Sequence, residues 1–139
     1  MKYVCLMFCM LASNAIYAGD LKLEIHGKEI GGKALYVAVF SAEHAQDFPK
    51  RDQNARTGKV VATSDVAELL MPDFASGDYA VAVYADINGN NKLDINILGI
   101  PTEPVGMSRD AKGRFGPPSY SDAVFKITDG ITPVKIQLH

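Results

Sequence analysis

The chain has no tryptophan and only two cysteines, Cys5 and Cys9, among 139 residues. Both cysteines lie in a short apolar stretch at the start. Removal of that stretch leaves no thiol, which excludes disulfides, thiolate–zinc sites and cysteine nucleophiles together. There is no basic excess: 14 Lys+Arg stand against 16 Asp+Glu, a formal net charge of −2. A nucleic-acid-binding domain carries a basic patch, so nucleic acid is not an expected partner. No apolar run reaches the roughly 18 residues that span a bilayer as a helix. Catalytic signatures are also missing, with no H-E-x-x-H, no G-x-S-x-G and no Gly-rich phosphate loop. The histidines, His26, His44 and His139, are scattered along the chain. An enzyme is therefore not expected.

The N-terminus reads as a targeting segment. Met1-Lys2 supplies one positive charge, Tyr3 to Ala12 (YVCLMFCMLA) carries none, and Ser13, Asn14, Ala15, Ile16, Tyr17 and Ala18 follow. That order matches a secretory signal peptide over residues 1–18. Cleavage after Ala18 fits, and cleavage after Ala15 also fits. The pattern predicts an exported chain, periplasmic or secreted, with residues 19–139 as a single domain. Lys2 is lost with the leader, leaving 13 basic against 16 acidic residues. A domain of about 120 residues buries an adequate core without disulfides.

The remaining chain reads as short strands. Leu21, Leu23 and Ile25 alternate with Lys22, Glu24 and His26, as in a half-buried strand. Ala34–Phe40 and Tyr79–Ala85 are apolar on both faces and suit central strands. Lys59–Thr63, Val66–Met71, Ala123–Ile127 and Val134–Leu138 are further strands. Ala42–Phe48 forms one helical turn, and Pro72–Asp78 a turn-rich link. About seven strands, frequent turn signals and no long amphipathic helix predict an all-β, antiparallel sandwich; a small closed barrel is the alternative. One long loop, 86–122, stands out. Between Gly99 and Pro118, eight of twenty residues are Gly or Pro. A loop of that length in a compact domain points to a function or an ordering ligand.

Its first part carries the sharpest chemical signal. Asp86, Asn88, Asn90 and Asp94 place oxygen-bearing side chains at offsets 0, 2, 4 and 8. The spacing matches the first nine positions of an EF-hand-type loop, in which alternate residues of a tight turn point oxygens at one hard cation. Asp86, Asn88, Asn90 and Asp94 are the candidate side-chain ligands, and Lys92 offers its carbonyl. Ca2+ is the expected ion. The bidentate Glu of such loops is replaced by Ile97, so affinity should be modest, with Asn96 or Glu103 as candidate additional ligands. The competing reading is an Asn88-Gly89 turn capped by aspartates, with no ion.

From that loop onward the chain resembles a known family. The ordered segments S-G-D-Y-A-V-A-V-Y (76–84), D-I-N-G-N-N-K-L-D (86–94), L-G-I-P-T-E-P (98–104), G-M-S (106–108) and G-R-F-G-P-P-S-Y-S-D-A-V-F (113–125) are similar to domain of unknown function 2141. Asn91 and Ala85 depart from the residues usual there, Gly and His. The resemblance implies an exported bacterial β-sandwich and no established activity. At the level of fold alone, the Ser-Gly-Asp-Tyr turn into a strand also resembles transthyretin-like and carboxypeptidase-regulatory-like sandwiches.

A second candidate surface lies at 109–120, where Arg114, Phe115 and Tyr120 offer a cation and two aromatic rings to a sugar or peptide. The sequence thus predicts a non-enzymatic module. Its calcium loop orders a Gly/Pro-rich surface for a protein or carbohydrate partner. The alternatives are a sugar- or peptide-binding module built on 109–120 and, further off, a hydrolase with a composite site.

Overall fold

The computed structural model describes residues 18–139. The expected leader lies outside the described residues, apart from Ala18. Eight strands form two sheets: β1 (Ala18–His26), β2 (Ala34–Ser41), β3 (Arg56–Val61), β4 (Val66–Ala75), β5 (Gly77–Asp86), β6 (Val105–Met107), β7 (Phe125–Ile127) and β8 (Gly130–Gln137). One sheet has the order β4-β1-β8. The other has the order β3-β2-β5-β6, with β7 also on β5. A sandwich of two sheets is what the strand-rich pattern predicts.

Alternation places the main core between the sheets. Leu21, Leu23 and Ile25 of β1 face Leu35, Val37 and Val39 of β2 and Val81, Val83 and Ala85 of β5, all buried. Each fully buried Leu, Ile or Val contributes about 1.5–3 kcal/mol by leaving water. β2 and β5 are apolar on their other face for a separate reason. At one end of that face Phe40 and Ala80 lie beneath Phe48 and Ala123, which form a second buried cluster. Phe48 comes from the chain just after a 3-10 segment, Ala42–Asp47, and Ala123 from a short helix α1 (Tyr120–Ala123). At the other end Tyr36 and Tyr84 stack at 5.1 Å and 15° between planes.

Three expectations are corrected. The smaller sheet is mixed: β1 pairs β4 antiparallel but β8 parallel, Leu23 lying opposite Val134. Parallel pairing needs a long connection, and here the whole second sheet supplies it. Pro72–Asp78 is not a link, because β4 runs on to Ala75 and β5 starts at Gly77. The register shifts between Gly19 and Leu21, so Pro72 and Asp73 both lie opposite Asp20 in a bulge, with Asp73 at φ 64°. An edge strand accommodates proline there because the ladder needs no N–H from it. Finally, Ala123 ends α1, and only Phe125–Ile127 is strand. Ser119 and Asp122 cap that helical turn reciprocally, which competes with extension.

The sheets meet at one edge. Val105 and His139 exchange both backbone hydrogen bonds, at 3.1 and 3.0 Å. The end of the chain therefore seals β6 and sets the base of the long loop.

Candidate functional site

The loop that follows β5 is organised by two buried carboxylates. Asp86, 3% exposed at the end of β5, accepts the N–H groups of Gly89 (2.8 Å) and Asn90 (3.2 Å) on Oδ1 and of Asn91 (2.9 Å) on Oδ2. Glu103, 7% exposed, accepts Ile87 N–H on Oε1 (2.9 Å) and Asp94 N–H on Oε2 (3.1 Å). Five backbone donors of one loop thus end on two side chains. The tight winding this requires puts Gly89 at φ 77° and Asn91 at φ 62°. Asn tolerates that left-handed conformation better than most residues, as its position in the motif requires. Tyr36 then fixes the turn from outside, donating its hydroxyl to Asn91 Oδ1 at 2.6 Å.

Asn88, Asn90 and Asp94 converge. Asn88 Nδ2 donates to Asp94 Oδ2 at 2.6 Å, and Asn90 Nδ2 lies 2.9 Å from both oxygens of Asp94. The amide oxygens face the other way: Asn88 Oδ1 accepts Asn90 N–H (3.2 Å) and Asn90 Oδ1 accepts Lys92 N–H (3.1 Å). Lys92 is exposed. A cleft of about 320 Å³ opens beside Asp86, with Lys33 and Asn88 on its walls. The Lys33 ammonium donates to the Ile87 carbonyl at 3.1 Å.

The candidate donors for a hard cation are Asp86, Asn88, Asn90 and Asp94. Among the described residues, no three His, Cys, Asp or Glu side chains converge as metal ligands. Around Asp94 stand amide N–H groups, while the Asn88 and Asn90 amide oxygens are held on backbone N–H groups of the loop. Glu103 serves the loop as a buried acceptor of N–H groups, and Asn96 Oδ1 accepts Leu98 N–H (2.9 Å) and Ile100 N–H (3.1 Å) further out. Sequence spacing points to Asp86, Asn88, Asn90 and Asp94. It gives no sign of Tyr36, 55 positions away from Asn91, because β2–β5 pairing brings them together.

The residues at 109–120 are dispersed. Tyr120 packs edge-on against Phe48, ring centres 6.2 Å apart, and burial pushes its phenol up. Phe115 is fully exposed, and Arg114 is exposed beside it. Residues 24–135 match the model of a family described as an uncharacterized protein conserved in bacteria, DUF2141. The chain belongs to this family. The match takes in β1 from Glu24 onward, all of the long loop and most of β8, so the 86–103 assembly is part of a DUF2141 domain. No curated protein matches the chain. No solved structure matches it either.

Proposed function

We propose that this DUF2141 chain is an exported, non-enzymatic module, periplasmic or secreted. Its 86–94 loop binds Ca2+ and thereby fixes the 86–122 surface for a protein or carbohydrate partner. The observation that carries the reading is the convergence of Asn88 and Asn90 on the Asp94 carboxylate. A carboxylate ringed by amide donors is the arrangement expected before a cation replaces them. Exchanging amide N and O by a half-turn brings two more oxygens to the same point. That exchange gives up the Asn88 and Asn90 amide bonds to Asp94 as well as those from Asn90 N–H and Lys92 N–H, about 1 kcal/mol each, so the affinity belongs to the weak extracellular range of about 10⁻⁴–10⁻³ M.

Thermal unfolding of residues 18–139 in chelator and across a calcium series, with magnesium as control, tests the reading. At ten times Kd, linkage gives about 1.4 kcal/mol, or about 5 °C in Tm for a domain of this size. Asp94→Asn should lose the shift, and Asn54→Ala should keep it. Absence of a calcium-specific rise up to several millimolar, about the weakest range for such sites, overturns the assignment.

A second reading rests on Phe115, fully exposed beside Arg114, as the anchor of a sugar- or peptide-binding surface. Loss of glycan or peptide capture in Phe115→Ala, with calcium response intact, would favour it.

A further inference from the structure

Asn88 is followed by glycine, and no other asparagine in the chain is. Asparagine is a thermolabile residue. Its usual decay is ring closure, in which the backbone nitrogen of the next residue attacks the side-chain Cγ. Glycine permits this best, because it has no Cβ to hinder the attack. Asn88 and Gly89 are both exposed. A Cβ placed on Gly89 would meet nothing within 4 Å, so a succinimide ring has room to form and water has access to open it.

The fold nevertheless holds each atom that this reaction uses. The nucleophile, Gly89 N, donates its hydrogen to Asp86 Oδ1 at 2.8 Å. The leaving group, Asn88 Nδ2, donates to Asp94 Oδ2 at 2.6 Å. The acyl oxygen, Asn88 Oδ1, accepts Asn90 N–H at 3.2 Å. The first two contacts oppose the chemistry. Gly89 N attacks only after surrendering its proton, and its negative charge would then lie beside the Asp86 carboxylate, which is 3% exposed. A neighbouring like charge disfavours that ionisation, and burial strengthens the repulsion. Asn88 Nδ2 needs a further proton to depart, and the Asp94 carboxylate only accepts. The third contact polarises the carbonyl towards reaction. It is the longest of the three and joins neutral groups, whereas bonds to carboxylates are the stronger kind. Protection therefore outweighs activation while the loop is closed.

We propose that Asn88 is a modification site gated by its loop: the closed loop preserves the amide, and opening lets it deamidate. The Gly89 N–Cγ bond forms, the Cγ–Nδ2 bond breaks, and the Gly89 proton departs with the nitrogen as ammonia. Water then opens the succinimide at either carbonyl, leaving an aspartyl or isoaspartyl link. The product puts a second carboxylate where an amide donated to Asp94, so reclosing the loop does not restore the original contact. The modification itself needs no ion.

The test incubates residues 18–139 at neutral pH in chelator, folded and in urea, and follows each asparagine peptide by the amide-to-acid mass gain. Chelator makes the outcome independent of the calcium reading. In urea Asn88 should be lost faster than Asn54, Asn90, Asn91 or Asn96. In the folded protein its loss should be slower by at least about tenfold, because two bonds to carboxylates must open first. Asp94→Ala, with unchanged Tm, should speed the folded-state loss severalfold. Tyr36→Phe keeps the ring but frees Asn91, and it should speed the loss without touching a reacting atom. Equal rates in the fold and in urea overturn the proposal. So does another asparagine decaying first in urea, and so do wild-type rates in both variants.

Discussion

Glu103 accepts two N–H groups from positions 16 and 9 residues earlier, those of Ile87 and Asp94. It thereby clamps both ends of the acidic–amide loop onto the sandwich. Removing a buried acceptor leaves its donors unsatisfied, and bonds to carboxylates are stronger than neutral ones. Glu103→Ala should therefore lower stability by about 2–3 kcal/mol. Glu103→Gln, which keeps one acceptor oxygen, should lose less. Urea unfolding midpoints read the difference, and an unchanged midpoint in Glu103→Ala would contradict the clamp. At this scale the sequence was informative about one half of the loop only. The alternate spacing of Asp86, Asn88, Asn90 and Asp94 is local, and local geometry follows from it. Glu103 reaches back through a bend held by the Ile95–Pro101 bridge, and nothing in residue spacing encodes that return.

Among the elements, β1, β2 and β5 were legible because burial imposes a pattern on them. Alternation gives β1, and two-sided apolarity gives the central pair. The pattern does not encode strand direction. β8 shows the same inward Ile136 whether it runs parallel or antiparallel to β1, so the mixed sheet emerged only with the fold. Pro72 misled for a physical reason. Proline usually ends a strand, but a bulge on an edge strand removes the need for its N–H. The closure between β6 and the chain end also depends on close approach. A Cβ placed on Gly106 would lie 2.5 Å from the Gln137 carbonyl oxygen. Gly106→Ala should therefore pry β6 from β8 and cost about 1–3 kcal/mol through overpacking. Hydrogen exchange should speed up at Val105 and His139, whose amides form the seal, while β1 and β4 amides stay protected. Uniform acceleration across both sheets, or none at all, would show that the seal is not a separate local feature.

For the molecule as a whole, titration makes the two ends of the pH range unequal. Three phenols, Tyr79, Tyr84 and Tyr120, are pushed up chiefly by burial. Tyr84, stacked on Tyr36, reaches about 12, with the neighbouring Tyr36 and Asp86 adding to the effect of burial. The unfolded phenol titrates near pH 10. Between about pH 10 and 12 the unfolded chain releases a proton that the folded chain retains, so stability falls with rising pH. The Tyr84 contribution is complete below about pH 10 and gone above about pH 12. Because the ring is half-buried, solvent screening limits it to about 1 kcal/mol. The acid side differs. Glu24 and Asp110 are lowered first by hydrogen bonds from His26 and His139, and this stabilisation is lost as pH falls through their folded values. Both carboxylates lie at the surface, where water weakens the coupling. These two pairs should therefore add less slope in acid than the phenols add in alkali. Tyr84→Phe keeps the stacked ring and removes the proton, so its urea midpoint should decline less than the wild type between about pH 10 and 12. Identical alkaline declines in the two proteins would place the loss elsewhere than in the Tyr36–Tyr84 stack.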